Sequence, residues 1–322
     1  MNDTAAAARR SVTFDRPLLC TAAQDLRGYV ARLAGRGLLL AVTSSSVLAV
    51  GLILVFIVKE AWPFFLSGHA AQLLTRTGWH PQTAPYEFGG LSLMAGSVYV
   101  TVTAALVAVP LGLAAAVFLS DICSFGLRQV VKPVIEVLAA IPSVAYGFFA
   151  ILVLAPWMQR HLGFATGTNV LNASLLLAIM AVPTVVSISE DALTAVGREL
   201  REGAYALGAT RAEAVVKVVI PAAHSGIIAA VILGIMRAVG ETMVVWMASG
   251  NASQIPAPWW DLSQSVRTLT ATIAGDMGET EHGSVHYHAL FALGLVLLAV
   301  TLVLNLVSEY FLRQAKKARR GG

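Results

Sequence analysis

The chain contains 322 residues, of which 57% are hydrophobic and 12% are charged. A soluble domain normally carries about 25% charged residues because its surface must meet water. The composition therefore excludes an ordinary soluble protein and indicates that much of the outer surface faces lipid. The formal net charge of +4 does not indicate a nucleic-acid partner, because Lys and Arg stand at the ends of apolar runs, where membrane topology explains them.

Six apolar segments are long enough to cross a bilayer, whose hydrocarbon core of about 30 Å takes roughly 20 helical residues. They are 38–58, 91–119, 134–154, 173–189, 227–248 and 289–312. The sequence therefore predicts an all-α membrane protein with six transmembrane helices. Pro110, Pro142 and Pro183 lie inside the second, third and fourth segments. Since neighbouring helices can satisfy the carbonyls that a proline frees, we expect these three helices to pack within protein.

The distribution of Lys and Arg predicts the orientation in the membrane. With six spans and the N-terminus inside, 17 of these residues fall in inner segments and 4 in outer segments. The positive-inside rule then puts both termini in the cytoplasm of a multi-pass protein of the cell membrane.

Three regions follow from this topology: a cytoplasmic N-terminal segment 1–37, a transmembrane domain 38–312 and a basic cytoplasmic tail 313–322. Within the first, apolar residues recur at helical spacing away from the arginines: Leu18, Leu19, Ala22, Leu26, Tyr29, Val30 and Leu33. This stripe predicts an amphipathic helix, which would either lie on the inner leaflet or dock on a cytosolic partner.

The inner segment 190–226, between the fourth and fifth spans, contains a patterned stretch. Residues 202–208 read Glu-Gly-Ala-Tyr-Ala-Leu-Gly, and after nine residues 218–221 read Val-Val-Ile-Pro. A short helix with a charged start and a glycine break can dock as a knob into a groove on a soluble partner. Gly208 would let the backbone reverse, and Pro221 would end the segment before the fifth span. The alternative is an ordinary linker without a partner.

This stretch resembles the E-A-A-x3-G-x9-I-x-L-P signature of permease subunits of type I ABC importers. The departures are Gly for Ala at 203, Val for Ile at 218 and Ile for Leu at 220. The resemblance implies a six-helix permease whose cytoplasmic coupling helix transmits nucleotide-driven closure of an ATPase subunit. The coupling residues would be Glu202, Gly203, Ala204, Gly208 and Pro221.

The chain contains no Gly-Lys pair, so the phosphate-binding loop pattern of ATPases is absent. We therefore expect a transport subunit that is not an enzyme and holds no cofactor. ATP and magnesium would be bound by a partner subunit.

The fifth predicted span contains Arg237 and Glu241 in an otherwise apolar run. A charge at mid-bilayer costs about 2.5–3.5 kcal/mol, and two residues four apart on a helix share a face, which must then look into the bundle or an aqueous path. One interpretation is an internal ion pair. The other is an anion site, since a guanidinium matches phosphate oxygens bidentately. The carboxylate would accept a hydrogen bond from a protonated phosphate oxygen but repel fully ionised sulfate.

Residues 236–243 read Met-Arg-Ala-Val-Gly-Glu-Thr-Met, similar to the R-A-x-G-E-T-M stretch of PstC-type permeases of phosphate-specific transport. Residues 139–147, Ala-Ala-Ile-Pro-Ser-Val-Ala-Tyr-Gly, also resemble that family. The resemblance implies import of inorganic phosphate together with a PstA-like permease, two ATP-binding subunits and an extracytoplasmic phosphate-binding protein. Arg237 and Glu241 would take part in transport, and we add Ser143 and Tyr146 as polar groups on a facing span.

Two alternatives stay open. A permease for another oxyanion, sulfate or molybdate, would share the same architecture. A proton-coupled secondary transporter could use Arg237 and Glu241, but it should show inverted repeats with discontinuous helices, and no such repeat is visible in the sequence.

Two charged regions receive simpler interpretations. Glu136 is expected to pair with Lys132 one turn back. The outer loop 250–288 carries acidic and histidine residues, including His282 and His286 at i,i+4, but no fixed ligand spacing. We predict a solvated loop or docking surface there and no metal site.

Overall fold

The computed structural model describes residues 22–83 and 85–320 of the chain. These fall into two units, 22–56 and 57–320, whose boundary lies within the first helix. That helix, α1, covers Ala22–Leu66 and continues without a break through the predicted regional boundary at residue 37. Of the amphipathic stripe predicted for the N-terminal segment, Leu18 and Leu19 lie outside the described residues, and the other five positions, from Ala22 to Leu33, lie in α1.

The number of candidate spans agrees with the sequence. Five helical runs in the described part are long and apolar enough to cross a membrane, and a bent pair would make a sixth span. The five runs are Gly28–Leu66, Leu91–Ile122, Val170–Thr194, Arg211–Val239 and Val285–Gln314. The second run comprises α3 (Leu91–Val117) and a π-helical turn, Phe118–Ile122. The third run is α7, and the last belongs to α13 (Val285–Arg320). Between α1 and α3 lie α2 (Ala70–Thr75) and a hairpin of β1 (Trp79–His80) and β2 (Glu87–Phe88).

The third predicted span is broken at Pro142, so the prediction of one continuous helix over 134–154 is wrong. The first arm is α4 (Phe125–Ala140); the second comprises α5 (Ser143–Phe149), a π-helical turn (Ala150–Leu154) and α6 (Ala155–Leu162), and the two arms meet at 85°. A proline disfavours the helical conformation of the residue before it, and Ile141 is extended, with ψ 128°. Pro110 and Pro183, by contrast, lie inside continuous helices.

The fifth predicted span, 227–248, has different bounds in the structure. The helical run begins at α9 (Arg211–Ala214), passes through a π-helical turn (Val215–Val219) and continues as α10 (Ile220–Val239). Pro221 therefore lies near the start of α10, inside the run, and does not end a segment before the span. The π-helical turn directly before it accommodates the missing backbone N–H. After a break at 240–242, α11 covers Met243–Ala248.

The core of the second unit is built around α7, which packs against α3, α4, α10 and α11. Glycines in α3 and α10 allow these two helices to approach α7 closely. A Cβ on Gly112 of α3 would lie 2.7 Å from Val185 Cγ1 of α7, and one on Gly234 of α10 would lie 2.6 Å from Val185 Cγ2. Close backbone approach at small residues is typical of membrane helix pairs, and it holds these three helices together here.

One end of the bundle, here called the α12 end, carries β1, β2 and α12 (Leu269–Met277). Asp276 lies at its centre and accepts hydrogen bonds from Trp79 Nε1 at 3.0 Å and from Arg267 at 2.5 Å. His286 Nε2 lies 3.3 Å from the same carboxylate. His286 is buried and lies in α13, and Asp276 lies in α12, so the interpretation of 250–288 as a solvated loop or docking surface is wrong for these two residues.

The opposite end, here called the α8 end, carries α8 (Arg198–Ala206), the last turn of α7 and the π-helical turn after α3. Charged side chains link these elements, as described below.

Candidate functional site

The charged pair of the fifth predicted span lies at a helix end. Arg237 is in the last turn of α10, which ends at Val239, and Glu241 lies in the non-helical break that follows Gly240. The expectation that the two share one helical face is therefore wrong. Glycine is costly to hold in a helix, and at Gly240 the chain turns so that the Glu241 amide bonds the Ala238 carbonyl at 3.3 Å.

The break is held by hydroxyl groups of α12. Thr270 Oγ1 donates a hydrogen bond of 2.8 Å to the Glu241 carbonyl, and Thr268 Oγ1 lies 3.2 Å from Thr270 Oγ1. Glu241, both threonines, Ser97 and Thr101 line a cavity of about 10 Å³. That is room for about one water molecule.

Arg237 is exposed, and its guanidinium forms no hydrogen bond or ion pair with another side chain in the described part of the chain. The negative end of the α10 dipole favours a cation at this position. The geometry therefore does not support an internal Arg237–Glu241 ion pair, and it leaves the guanidinium available.

Tyr146 is fixed by the break at Pro142. Its hydroxyl donates a 2.9 Å hydrogen bond to the carbonyl of Leu138. In a continuous helix that carbonyl would bond the N–H of residue 142, which proline lacks. The phenol therefore replaces the missing donor and joins the two arms of the bent pair. Ser143 is half-buried one turn earlier on α5.

The structure thus brings together some of the predicted translocation residues. Ser143 and Tyr146 share α5, which packs against α11 just after the break that follows Arg237. Glu241 lines the small hydroxyl-lined cavity, which none of the other three predicted residues lines.

The predicted coupling stretch forms a projecting turn. Glu202 and Gly203 are exposed on α8, while Ala204 is buried. Gly208 has φ +87°, in the left-handed region that favours glycine. Directly before it, Leu207 is 91% exposed. The sequence prediction did not select Leu207; an apolar residue directly before a turn glycine was the available signal.

Behind this turn lies a hollow of about 330 Å³, and Thr210 and Glu213 form a capping box that starts α9. The turn is therefore built as a defined protrusion with fixed helices on both sides.

Two ion-pair clusters of the α8 end were not predicted. Arg201 binds Asp121, and the buried Glu190 binds both Arg128 and Lys132 of α4. The expected pairing of Lys132 with Glu136 is wrong, because Lys132 contacts Glu190 at 2.7 Å. Acidic residues at the ends of apolar runs were the only sequence signal, and their partners are 58 to 80 residues away.

The helix number, the broken spans and the projecting turn define a membrane permease of the ABC importer class. The chain belongs to the family of binding-protein-dependent transport system inner membrane components, which matches residues 108–317.

The curated relatives agree with this assignment. The chain is 39% identical over 260 residues to the probable ABC transporter permease protein YqgH of Bacillus subtilis, covering 80% of this chain and 83% of the relative. It is 35% identical over 266 residues to the phosphate transport system permease protein PstC of Mesorhizobium japonicum, covering 77% and 80%. The predicted resemblance to importer permeases and to PstC is therefore confirmed.

A solved structure supports the fold. The inward-facing MetNI methionine ABC transporter matches with a TM-score of 0.52 at 18% identity, covering 68% of this chain and 93% of the other. The predicted type I importer permease architecture is confirmed.

Proposed function

We propose that the chain is a pore-forming subunit of an ATP-driven importer of inorganic phosphate. The observation that carries this proposal is the exposed guanidinium of Arg237 at a helix break, which has no ion-pair partner among the described residues. The 35% identity to a PstC protein supports phosphate as the substrate.

Arg237 would bind phosphate oxygens through its planar fork of donors. Tyr146 and Ser143 would add hydroxyl donors from α5. Glu241 would accept a hydrogen bond from a protonated phosphate oxygen once the hydroxyl-lined cavity opens. Fully ionised sulfate carries no such proton, so the carboxylate would disfavour it.

The subunit itself would be non-catalytic and hold no cofactor. It would work with a PstA-like permease, two ATP-binding subunits that hold ATP and magnesium, and an extracytoplasmic phosphate-binding protein. The projecting turn would dock on an ATP-binding subunit through Glu202, Gly203, Ala204, Leu207 and Gly208, with Pro221 near the start of α10. In this arrangement the α8 end and both termini are cytoplasmic, which agrees with the excess of Lys and Arg in those segments.

The proposal is tested by uptake of radiolabelled phosphate into ATP-loaded proteoliposomes that contain the partner subunits, with and without this chain. We expect ATP-dependent uptake only with the chain, and little competition from sulfate or molybdate. Uptake of sulfate or molybdate in place of phosphate would assign a different oxyanion. Uptake driven by a proton gradient without ATP would overturn the proposal.

A further inference from the structure

Arg201 joins the projecting turn to two membrane helices. Its Nε donates to Asp121 Oδ1 at 2.9 Å, next to the end of α3. Its terminal nitrogens donate to the carbonyls of Val196 at 2.6 Å and Leu193 at 2.9 Å. Leu193 lies in the last turn of α7 and Val196 just beyond it, where a helix supplies few donors to its carbonyls. The side chains of Arg201 and Asp121 are only 16% and 7% exposed, so water competes weakly for these bonds.

Glu190 makes the next connection, one turn earlier on α7. Its carboxylate is fully buried and accepts hydrogen bonds from Arg128 and from Lys132, the latter at 2.7 Å. Both cations belong to α4, all of whose residues are described and none of which is buried. The ion pairs therefore attach α4 to α7 where apolar packing is weak. A buried carboxylate without partners is strongly unfavourable, so this attachment is not easily broken.

The third connection leads from α4 to the proposed anion site. Leu138, near the end of α4, accepts the hydrogen bond of the Tyr146 hydroxyl. The α5 helix, which carries Tyr146, packs against α11, directly after the break at 240–242. A displacement of α4 moves the carbonyl that fixes this phenol.

We propose that Arg201 and Glu190 are positioning residues that join α8, the last turn of α7 and α4 into one moving unit. A displacement of α8 by its partner then reaches Tyr146 through α4. The last step, from Tyr146 to phosphate, rests on the proposed function. The joined unit itself does not depend on which anion is carried.

The unit is tested first by a distance measurement. Spin labels are placed on α8 and α4, at the exposed residues Glu199 and Val130, in the full complex after replacement of the native cysteines. We expect the distance between the labels to stay the same with and without ATP. In Asp121→Asn and in Glu190→Gln, the distance distribution should broaden or shift on ATP binding. A distance that changes with ATP in the wild-type complex would overturn the proposal.

The second measurement is the amount of phosphate taken up per ATP hydrolysed, determined per assembled complex. Loss of a buried charge-assisted bond should lower this ratio about tenfold in Asp121→Asn and Arg201→Gln. The double variant should fall no further than the worse single variant, since coupled residues are not additive. Asp121→Glu keeps the carboxylate and should stay within about twofold of wild type.

The matched control is Arg313→Gln. Arg313 Nε also donates at 2.9 Å to a carboxylate, that of Glu309, but this pair is exposed, and exposed pairs contribute little. Its ratio should equal the wild-type ratio. A purely structural role for Arg201 would reduce the amount of assembled complex and leave the ratio per complex unchanged, which would overturn the proposal. A wild-type complex that imports no phosphate would overturn the proposed function, while the label distances would still decide on the joined unit.

Discussion

The α8 end and the break at residues 240–242 differ in whether their charged side chains are paired. At the α8 end, Asp121 and Glu190 are buried and each is paired with cations from another element. At the break, Arg237 has no charged partner among the described residues, and the backbone is held by the neutral hydroxyl of Thr270. Paired charges fix elements to each other, whereas an unpaired guanidinium can bind a ligand. In this account the α8 end moves as a rigid unit, and the break at 240–242 binds the substrate.

Among the substitutions, the largest loss of phosphate uptake is expected for those at Arg237. Arg237→Ala removes the main anion-facing donor and should lower phosphate uptake at least about 100-fold, since charged hydrogen bonds contribute about 1.5–3 kcal/mol each. Arg237→Lys should recover little, because a point charge does not replace a planar fork. Uptake is measured in proteoliposomes alongside the yield of assembled complex. Wild-type uptake in either variant would contradict the binding role.

Gly208→Val tests the projecting turn. The φ of +87° at this position strains a β-branched residue by roughly 1–2 kcal/mol. We expect about tenfold weaker co-purification of the ATP-binding subunit, with phosphate binding to the external protein unchanged. Gly163→Val is the control, because Gly163 has φ +68° and nothing within 4 Å of an added Cβ, but lies after α6, outside the projecting turn. Intact co-purification and intact hydrolysis in Gly208→Val would show that the turn does not dock.

Glu241→Gln tests whether the carboxylate in the break selects phosphate over sulfate. The amide keeps the size, adds a donor and removes the repulsion toward sulfate. Phosphate uptake should fall several-fold, and sulfate should compete more strongly than in wild type. The alternative is that Glu241 only stabilises the fold, in which case assembly falls and uptake per assembled complex stays normal. Measuring both quantities on one preparation separates these outcomes.

The smallest effect is expected at the α12 end, where the ion pair between Asp276 and Arg267 contributes only to the stability of the fold. Burial raises the pKa of Asp276, but hydrogen bonds from His286 and Trp79 and the charge of Arg267 outweigh it and lower the pKa below its ordinary value. The carboxylate therefore stabilises the fold above pH about 4, the ordinary range of Asp, and this contribution is lost as the pH falls through the lowered pKa.

This pH dependence is measured by thermal unfolding of the detergent-solubilised protein. The melting temperature should fall between pH 6 and pH 3, and Asp276→Asn should show a smaller fall. Glu309→Gln, which removes an exposed partner, should follow the wild-type curve. An equal fall in Asp276→Asn and wild type would contradict the role of Asp276.

Much of the fold could be predicted from local sequence. The apolar runs gave the number of spans, and Gly208 marked the turn after α8. The break after Val239 could not be predicted in this way, because a single glycine in an apolar run is compatible with a helix. Thr270, whose hydroxyl donates to the Glu241 carbonyl in this break, is 29 residues after Glu241 in the sequence.

The prolines show the same limit. Pro110 and Pro183 lie inside continuous helices, whereas the third predicted span is broken at Pro142. Sequence reasoning treats all three alike, and the surroundings of each decide the outcome. The ion pairs of the α8 end were missed for a related reason: Arg201 and Asp121 are 80 residues apart in sequence, and only the tertiary fold brings them together.

The central claim is that the α8 end transmits movement while Arg237 binds the transported anion. It is tested most directly by measuring phosphate uptake and ATP hydrolysis in the same proteoliposomes for wild type, Arg237→Ala and Asp121→Asn. We expect Arg237→Ala to lose uptake and keep the stimulation of hydrolysis by the loaded binding protein. Asp121→Asn should lose most of both uptake and stimulation. The same pattern in the two variants, or normal uptake in Arg237→Ala, would contradict the account.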